Sequence, residues 1–116
     1  MPKGDQPGEG AAPAKTGGTL VIGDVELDID GHRLFVGRGI VPMTEQEMRL
    51  LLVLMANAGR VLDRRFLLDE AWREGYPDGK KTLEVFILRL RKHIDRPGAP
   101  SHIRTVRGVG YVFDRP

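Results

Sequence analysis

Lys80–Ile94, KKTLEVFILRLRKHI, is the stretch around which the rest of the chain is arranged. Wound as a helix at ~100° per residue, it places Leu83, Ile87, Leu90 and Ile94 on one narrow stripe. Lys81, Val85, Arg89 and Lys92 fall opposite. The stripe is suited to rest on a core. The opposite face is basic, and Val85 and Leu88 stand among its charges. Such a face suits nucleic acid or a protein partner. The plainer alternative is a solvated surface whose cations pair with Glu84 and Asp95.

The flanking segments supply the support for this helix. Gly75-Tyr76-Pro77-Asp78-Gly79, just before it, is turn chemistry. Asp63 is placed to cap a helix that runs to about Arg73 and buries Leu67, Leu68, Ala71 and Trp72. Val61-Leu62 reads as a short extended link. Thr44-Glu45-Gln46-Glu47 is a capping box, followed by Met48, Leu51, Leu52 and Met55 at helical spacing. That helix should stop near Asn57–Gly59, where Gly59 suits a left-handed cap.

Thr19–Pro42 reads as about four short antiparallel strands. Val25, Leu27 and Ile29 alternate with Glu26 and Asp28, and Asp30-Gly31 gives a two-residue hairpin signal. Met1–Gly18 is rich in Gly, Pro and Ala, with no bulky hydrophobe beyond Met1, and reads as a flexible tail or linker. Beyond the helix, Pro97-Gly98 ends it, and Ile103–Val106 and Tyr111–Phe113 are β-type runs. Arg107-Gly108-Val109-Gly110 between them is a glycine-bearing hairpin tip. The order is sheet, three helices, hairpin, an α+β domain over residues 19–116.

A length of 116 residues fits one domain with a working core and no need of disulfides or metals. There is no cysteine, which excludes thiolate metal sites and fits a reducing compartment. No apolar run reaches the ~18 residues of a membrane span, and the N-terminus has no signal-peptide core. A cytoplasmic protein with no membrane association is the default. The net charge of +2 conceals an asymmetry. Residues 1–79 carry 9 basic and 13 acidic side chains, a net of −4, whereas residues 80–116 carry 9 and 3, a net of +6. A basic third joined to an acidic remainder suggests a localised anion-binding surface.

No catalytic, cofactor or metal site is expected. His32, His93 and His102 have no metal-ligand spacing with carboxylates and read as surface or cap residues. Walker and dinucleotide motifs are absent, and the lone Ser101 sits in a Pro-rich loop without a nucleophile elbow. A helix, in contrast, fits the major groove of DNA. On it Arg89 could hold guanine through two hydrogen bonds, and Val85 and Leu88 could meet thymine methyls. Lys80, Lys81 and Lys92 suit phosphates, and Thr82 with the first-turn amides suits a phosphate at the positive end of the helix dipole. Arg107 at the hairpin tip could reach a neighbouring minor groove.

Five runs carry a resemblance: Thr44-Glu45 with Arg49-Leu50-Leu51; Asn57-Ala58-Gly59-Arg60-Val61; Leu67-Leu68 with Trp72; Arg89-Leu90-Arg91-Lys92; and Thr105-Val106-Arg107-Gly108-Val109-Gly110-Tyr111. Together they resemble the winged-helix DNA-binding domain of the OmpR/PhoB family of bacterial response regulators, and TVRGVGY before a strand is highly specific to it. The resemblance covers about 95 residues, all but the tail. It implies a winged helix-turn-helix with a four-stranded N-terminal sheet, a three-helix core and a C-terminal hairpin as the wing. Lys81–Ile94 would be the recognition helix. The loop Arg73–Gly79, with Glu74, Tyr76 and Asp78, would meet RNA polymerase. Two copies would sit on tandem half-sites of double-stranded DNA to regulate transcription. The alternative is a protein-interaction module that acts on RNA polymerase or another regulator, with weak or non-specific DNA binding.

Two departures stand out. Family recognition helices often carry a polar residue, frequently histidine, where this chain has Phe86, and a polar or basic one where it has Leu88. Either sequence preference differs from that of relatives and leans on methyl contacts and DNA shape, or specificity is weak. The family also usually carries an upstream receiver domain, and none lies in these 116 residues. An isolated effector domain and a stand-alone regulator both fit.

Overall fold

The structure is a computed structural model that describes residues 14–16, 18–37, 39–73 and 82–115, with the backbone alone at 14–16 and 82. The N-terminal half is an antiparallel meander, β1 (Ala14–Thr16), β2 (Thr19–Ile22), β3 (Val25–Asp28), β4 (Arg33–Val36) and β5 (Gly39–Val41), paired in that order. Side chains alternate across a pleated strand, so one face goes to the core. Leu20, Ile22, Val25, Leu27 and Leu34 are buried on it.

The four strands from Thr19 to Val41 are those that the alternation implies. Two details differ. A fifth strand, β1, pairs with β2 from within the stretch read as tail, Lys15 facing Leu20. The two-residue hairpin is at Gly23-Asp24, not Asp30-Gly31. Ile22 faces Val25 across it, and Gly23 takes φ +59°, the left-handed region that such turns require. The loop at Asp30-Gly31 has four residues because Asp28 faces Arg33. The Asp28 carboxylate closes it, accepting from the Gly31 amide at 3.1 Å and from Arg33 Nη2 at 2.9 Å.

Three helices follow. α1 (Glu45–Ala56) begins with the capping box intact. Thr44 Oγ1 accepts from the Glu47 amide at 3.1 Å, and Glu47 Oε1 accepts from the Thr44 amide at 2.9 Å. It ends where the sequence indicates, with Gly59 at φ +87°. α2 (Arg64–Ala71) is capped by Asp63, which accepts from the Phe66 amide at 2.7 Å. α3 (Thr82–Ile94) packs on α1. Leu83, Ile87, Leu90 and Ile94 are fully buried, as the 100° spacing requires. Each contributes on the order of 2 kcal/mol by leaving water.

The C-terminal strands form a second sheet. β7 (Ile103–Val106) and β8 (Gly110–Phe113) make the hairpin. A short strand, β6 (Leu62–Asp63), read from sequence as a mere link, pairs on the other side of β8, giving the order β6-β8-β7. Gly110 permits it: a Cβ there would meet the Leu62 carbonyl and lie 2.8 Å from Asp63 Cα. The core joins the first sheet, all three helices and the wing sheet through Phe113, Ile103 and Leu62. No described helix is long and apolar enough to cross a membrane.

Candidate nucleic-acid interface

The outer face of α3 keeps the composition that the sequence assigned to it. Val85 and Leu88 are 41% and 54% exposed, and Arg89 and Lys92 are exposed beside them. These four lie on a helix whose opposite stripe is locked in the core, so they project to solvent from a rigid support. Arg89 is not loose. Its guanidinium carbon lies 5.2 Å from the centroid of the Phe86 ring, within cation–π range. Phe86 is half-buried against the core, and Trp72 meets it edge-on with centroids 5.3 Å apart.

Two ties that sequence did not suggest set the pose of α3. At its first turn Glu84 forms a forked pair with Arg64 of α2, at 3.0 and 3.2 Å. The hydrogen bond that Arg64 donates to the Glu84 carboxylate raises the Arg64 pKa above its ordinary value. Near its end Arg91 reaches the wing. Nε and Nη2 donate to the Ile103 carbonyl at 3.0 and 2.8 Å, and Nη2 donates to Thr105 Oγ1 at 2.8 Å. The same guanidinium lies 6.0 Å from the Tyr111 ring centroid. An arginine two residues past one reading head is an i+2 neighbour on a different face, and that is the only sequence signal for this role.

The wing tip is a three-residue connection, Arg107–Val109, between Val106 and its partner Gly110. Val109 donates to the Val106 carbonyl at 2.9 Å, and Gly108 stands at φ +77°. Gly108 is the third residue of the four-residue turn Val106–Val109, and a positive φ there, with none at Arg107, is the type II arrangement that favours glycine. Arg107 is exposed at the tip. A shallow cleft of ≈ 300 Å³ lined by Arg64, Glu84, Thr105, Val109 and Tyr111 separates wing from helix.

Other side chains read as candidates or as surface fall as follows. Arg73 is described and exposed at the end of the helix pair. Lys80, Lys81, Glu74, Tyr76 and Asp78 lie outside the described residues, as does the Thr82 side chain. Two histidines differ from the surface or cap roles. His93 Nε2 lies 3.3 Å from Glu47 Oε1, and Glu47 is buried at 5% exposure, so one carboxylate serves both the α1 cap and α3. His102 lies 3.3 Å from Asp24 and stacks on Phe113. Asp95 accepts from the His102 amide, and Glu84 pairs with Arg64 of α2. Among the described residues no cluster of His, Cys, Asp and Glu could hold a metal ion.

A meander sheet, a three-helix core, an exposed basic helix and a glycine-turned hairpin beside it define a winged helix-turn-helix domain. The family model described as "Transcriptional regulatory protein, C terminal" matches residues 37–113, and the chain belongs to that family, the OmpR/PhoB type. The sensory transduction protein RegX3 of Mycobacterium tuberculosis is 41% identical over 98 residues, 84% of this chain and 43% of the relative. The phosphate regulon transcriptional regulatory protein PhoB of Rhizobium meliloti is 40% identical over 104 residues, 90% of this chain and 46% of the relative. The chain thus spans less than half the length of these relatives. Among solved structures, the DNA-binding domain of Klebsiella pneumoniae RstA in complex with the RstA box superposes with a TM-score of 0.71 at 31% identity, covering 83% of this chain and 96% of that one. Response regulator DrrB of Thermotoga maritima gives 0.72 at 35% identity, over 84% of this chain and 44% of that one.

Proposed function

We propose that this chain binds double-stranded DNA and so regulates transcription in the cytoplasm, with α3 in the major groove and the wing at an adjacent minor groove. The observation that carries the proposal is the outer face of α3, where Arg89, Lys92, Val85 and Leu88 are exposed on a helix clamped to the core. Arg89 would take guanine through its fork, while Val85 and Leu88 would meet thymine methyls. Lys92, with Lys80, Lys81 and Thr82 at the start of the helix, would hold phosphates. Arg107 at the wing tip would enter the minor groove, whose negative potential attracts arginine. Two copies would occupy tandem half-sites, and the loop that begins at Arg73 would meet RNA polymerase.

Titration of duplex DNA at several salt concentrations tests the reading. Each phosphate neutralised gives a slope of about −0.9 in log K against log salt, so Lys80, Lys81 and Lys92 together imply about −3. No binding at low salt would remove the proposal in favour of a protein-interaction module.

A further inference from the structure

An exposed arginine usually samples many rotamers, and ordering it on binding costs affinity. Arg89 is exposed, yet its guanidinium carbon lies over the ring of Phe86, one turn earlier on the same helix, 5.2 Å from the centroid. Phe86 packs half-buried on the core, and the ring of buried Trp72, just past the end of α2, meets it at 81°. A continuous chain of contacts, Trp72 edge-on to Phe86 and Phe86 beneath Arg89, therefore runs from the interior to the outer face of α3. The planar guanidinium suits such a ring, and its fork is pre-formed, so fixing its plane fixes the direction of its donors. A leucine or other aliphatic residue at Phe86 would fill the same edge of the core without providing a π face.

We propose that Phe86 is the positioning residue for Arg89: its ring holds the guanidinium ready for a base, and so sets how strongly this chain prefers guanine at one position of its site. The proposal rests on the DNA-binding reading above. Phe86 itself touches no base. It acts by reducing the freedom that Arg89 would otherwise lose on binding.

The test uses a duplex enriched by the unaltered chain from a random-sequence pool. Each guanine in it is replaced in turn by adenine, with its complement. The position at which Arg89→Ala loses discrimination is the one that Arg89 reads. At that position Phe86→Leu should lower the guanine-over-adenine ratio by about twofold to fivefold, the range of an exposed cation–π contact. Ratios elsewhere and the salt slope should stay unchanged, and Phe86→Tyr, which keeps the ring, should restore the preference. A second measurement needs no DNA. The Arg89 Nε proton should resonate upfield in the unaltered chain, under the Phe86 ring current, and move back in Phe86→Leu. An unchanged guanine ratio in folded Phe86→Leu, or no upfield shift in the unaltered chain, overturns the proposal alone. Failure of the unaltered chain to enrich any duplex overturns the DNA-binding reading and this one with it.

Discussion

Arg91 holds the helix and the wing in one frame, and Arg91→Met is the substitution that isolates this. Methionine keeps an unbranched apolar stem and removes the guanidinium. What disappears is the pair of donors to the Ile103 carbonyl, at 3.0 and 2.8 Å, the 2.8 Å bond to Thr105 Oγ1, and the contact with Tyr111. Hydrogen bonds from a charged group contribute about 1.5–3 kcal/mol each. Two facts lower the sum. The Ile103 carbonyl keeps a partner, since Ser101 Oγ also donates to it at 3.0 Å. Arg91 is also only half-buried, so water replaces part of what is lost. A net loss of about 1–2 kcal/mol follows, which for a domain of this size lowers Tm by about 5–15 °C.

The same substitution has a signature that stability alone does not give. With Arg91 gone, the wing is free to change its angle to α3, and a contact made by Arg107 at the tip should weaken. Binding of one selected duplex to the unaltered chain, Arg91→Met, Arg107→Ala and the double variant forms a cycle. The loss from Arg107→Ala should be smaller in the Arg91→Met background, with a coupling of at least about 0.5 kcal/mol. Arg91→Lys keeps the charge but not the fork, and should fall nearer to Arg91→Met than to the unaltered chain. Losses that add to within about 0.3 kcal/mol, together with an unchanged Tm, would refute the frame.

Two further outcomes follow from the wing. Gly110→Ala and Gly108→Ala change glycines in one hairpin for different reasons. A Cβ at Gly110 strikes the backbone of Leu62 and Asp63, so the substitution should cost about 1–3 kcal/mol and detach β6, read as lost amide protection at Leu62 and Asp63. At Gly108 nothing lies within 4 Å, and only the φ of +77° is strained, so the loss should be about 1 kcal/mol with β6 protection intact. The third concerns Tyr111, whose phenol is pushed above its ordinary 10.0 by burial, and further by Glu84. The folded chain therefore holds this proton after the unfolded chain has lost it. Its contribution is complete below about pH 10 and declines as the pH rises through the folded value. Melts between about pH 9 and 11 should fall less steeply for Tyr111→Phe than for the unaltered chain.

The parts of the fold legible in the sequence are those settled within one or two turns of chain. Thr44 and Glu47 are three residues apart, the reach of a capping box, and the structure forms it. Leu83 to Ile94 declare a buried face by spacing alone. Gly108 is required by a turn of four residues. What was not legible depends on residues far apart. β6 exists because Leu62 and Asp63 meet Tyr111 and Gly110, nearly fifty residues on, and two residues carry no period. Glu47 looks like a cap residue and is one, but its link to His93 crosses 46 positions. The hairpin at Gly23-Asp24 carries a local signal that the reading missed, a glycine ahead of an aspartate between two β-type runs, weaker than the Asp-Gly pair at Asp30-Gly31. The exposed face of α3 followed from periodicity. The ring beneath Arg89 did not, because spacing alone reads Phe86 as edge of core.

Charge is where sequence and structure diverge most usefully. The C-terminal third has a net charge of +6, which on its own suggests a broad cationic surface. Much of it is spoken for inside the fold. Arg91 holds Ile103 and Thr105, Arg96 pairs with Asp24 at 2.7 Å, and Arg104 forms a forked pair with Asp114 at 2.9 and 3.1 Å. Moving any of these to a phosphate would break a bond that fixes the wing or the first sheet. Among the described residues, the face that the proposed DNA binding would use is narrow: Arg89 and Lys92 on the helix, Arg107 at the tip, and the exposed apolar Val85 and Leu88. On the DNA-binding proposal, such a face would draw less on counterion release than nine cations would, and more on shape, methyl contacts and the pose of a single arginine. The rigidity of the helix–wing frame then matters more than the number of charges. With few contacts available, an error of position in any one of them is a larger fraction of the total.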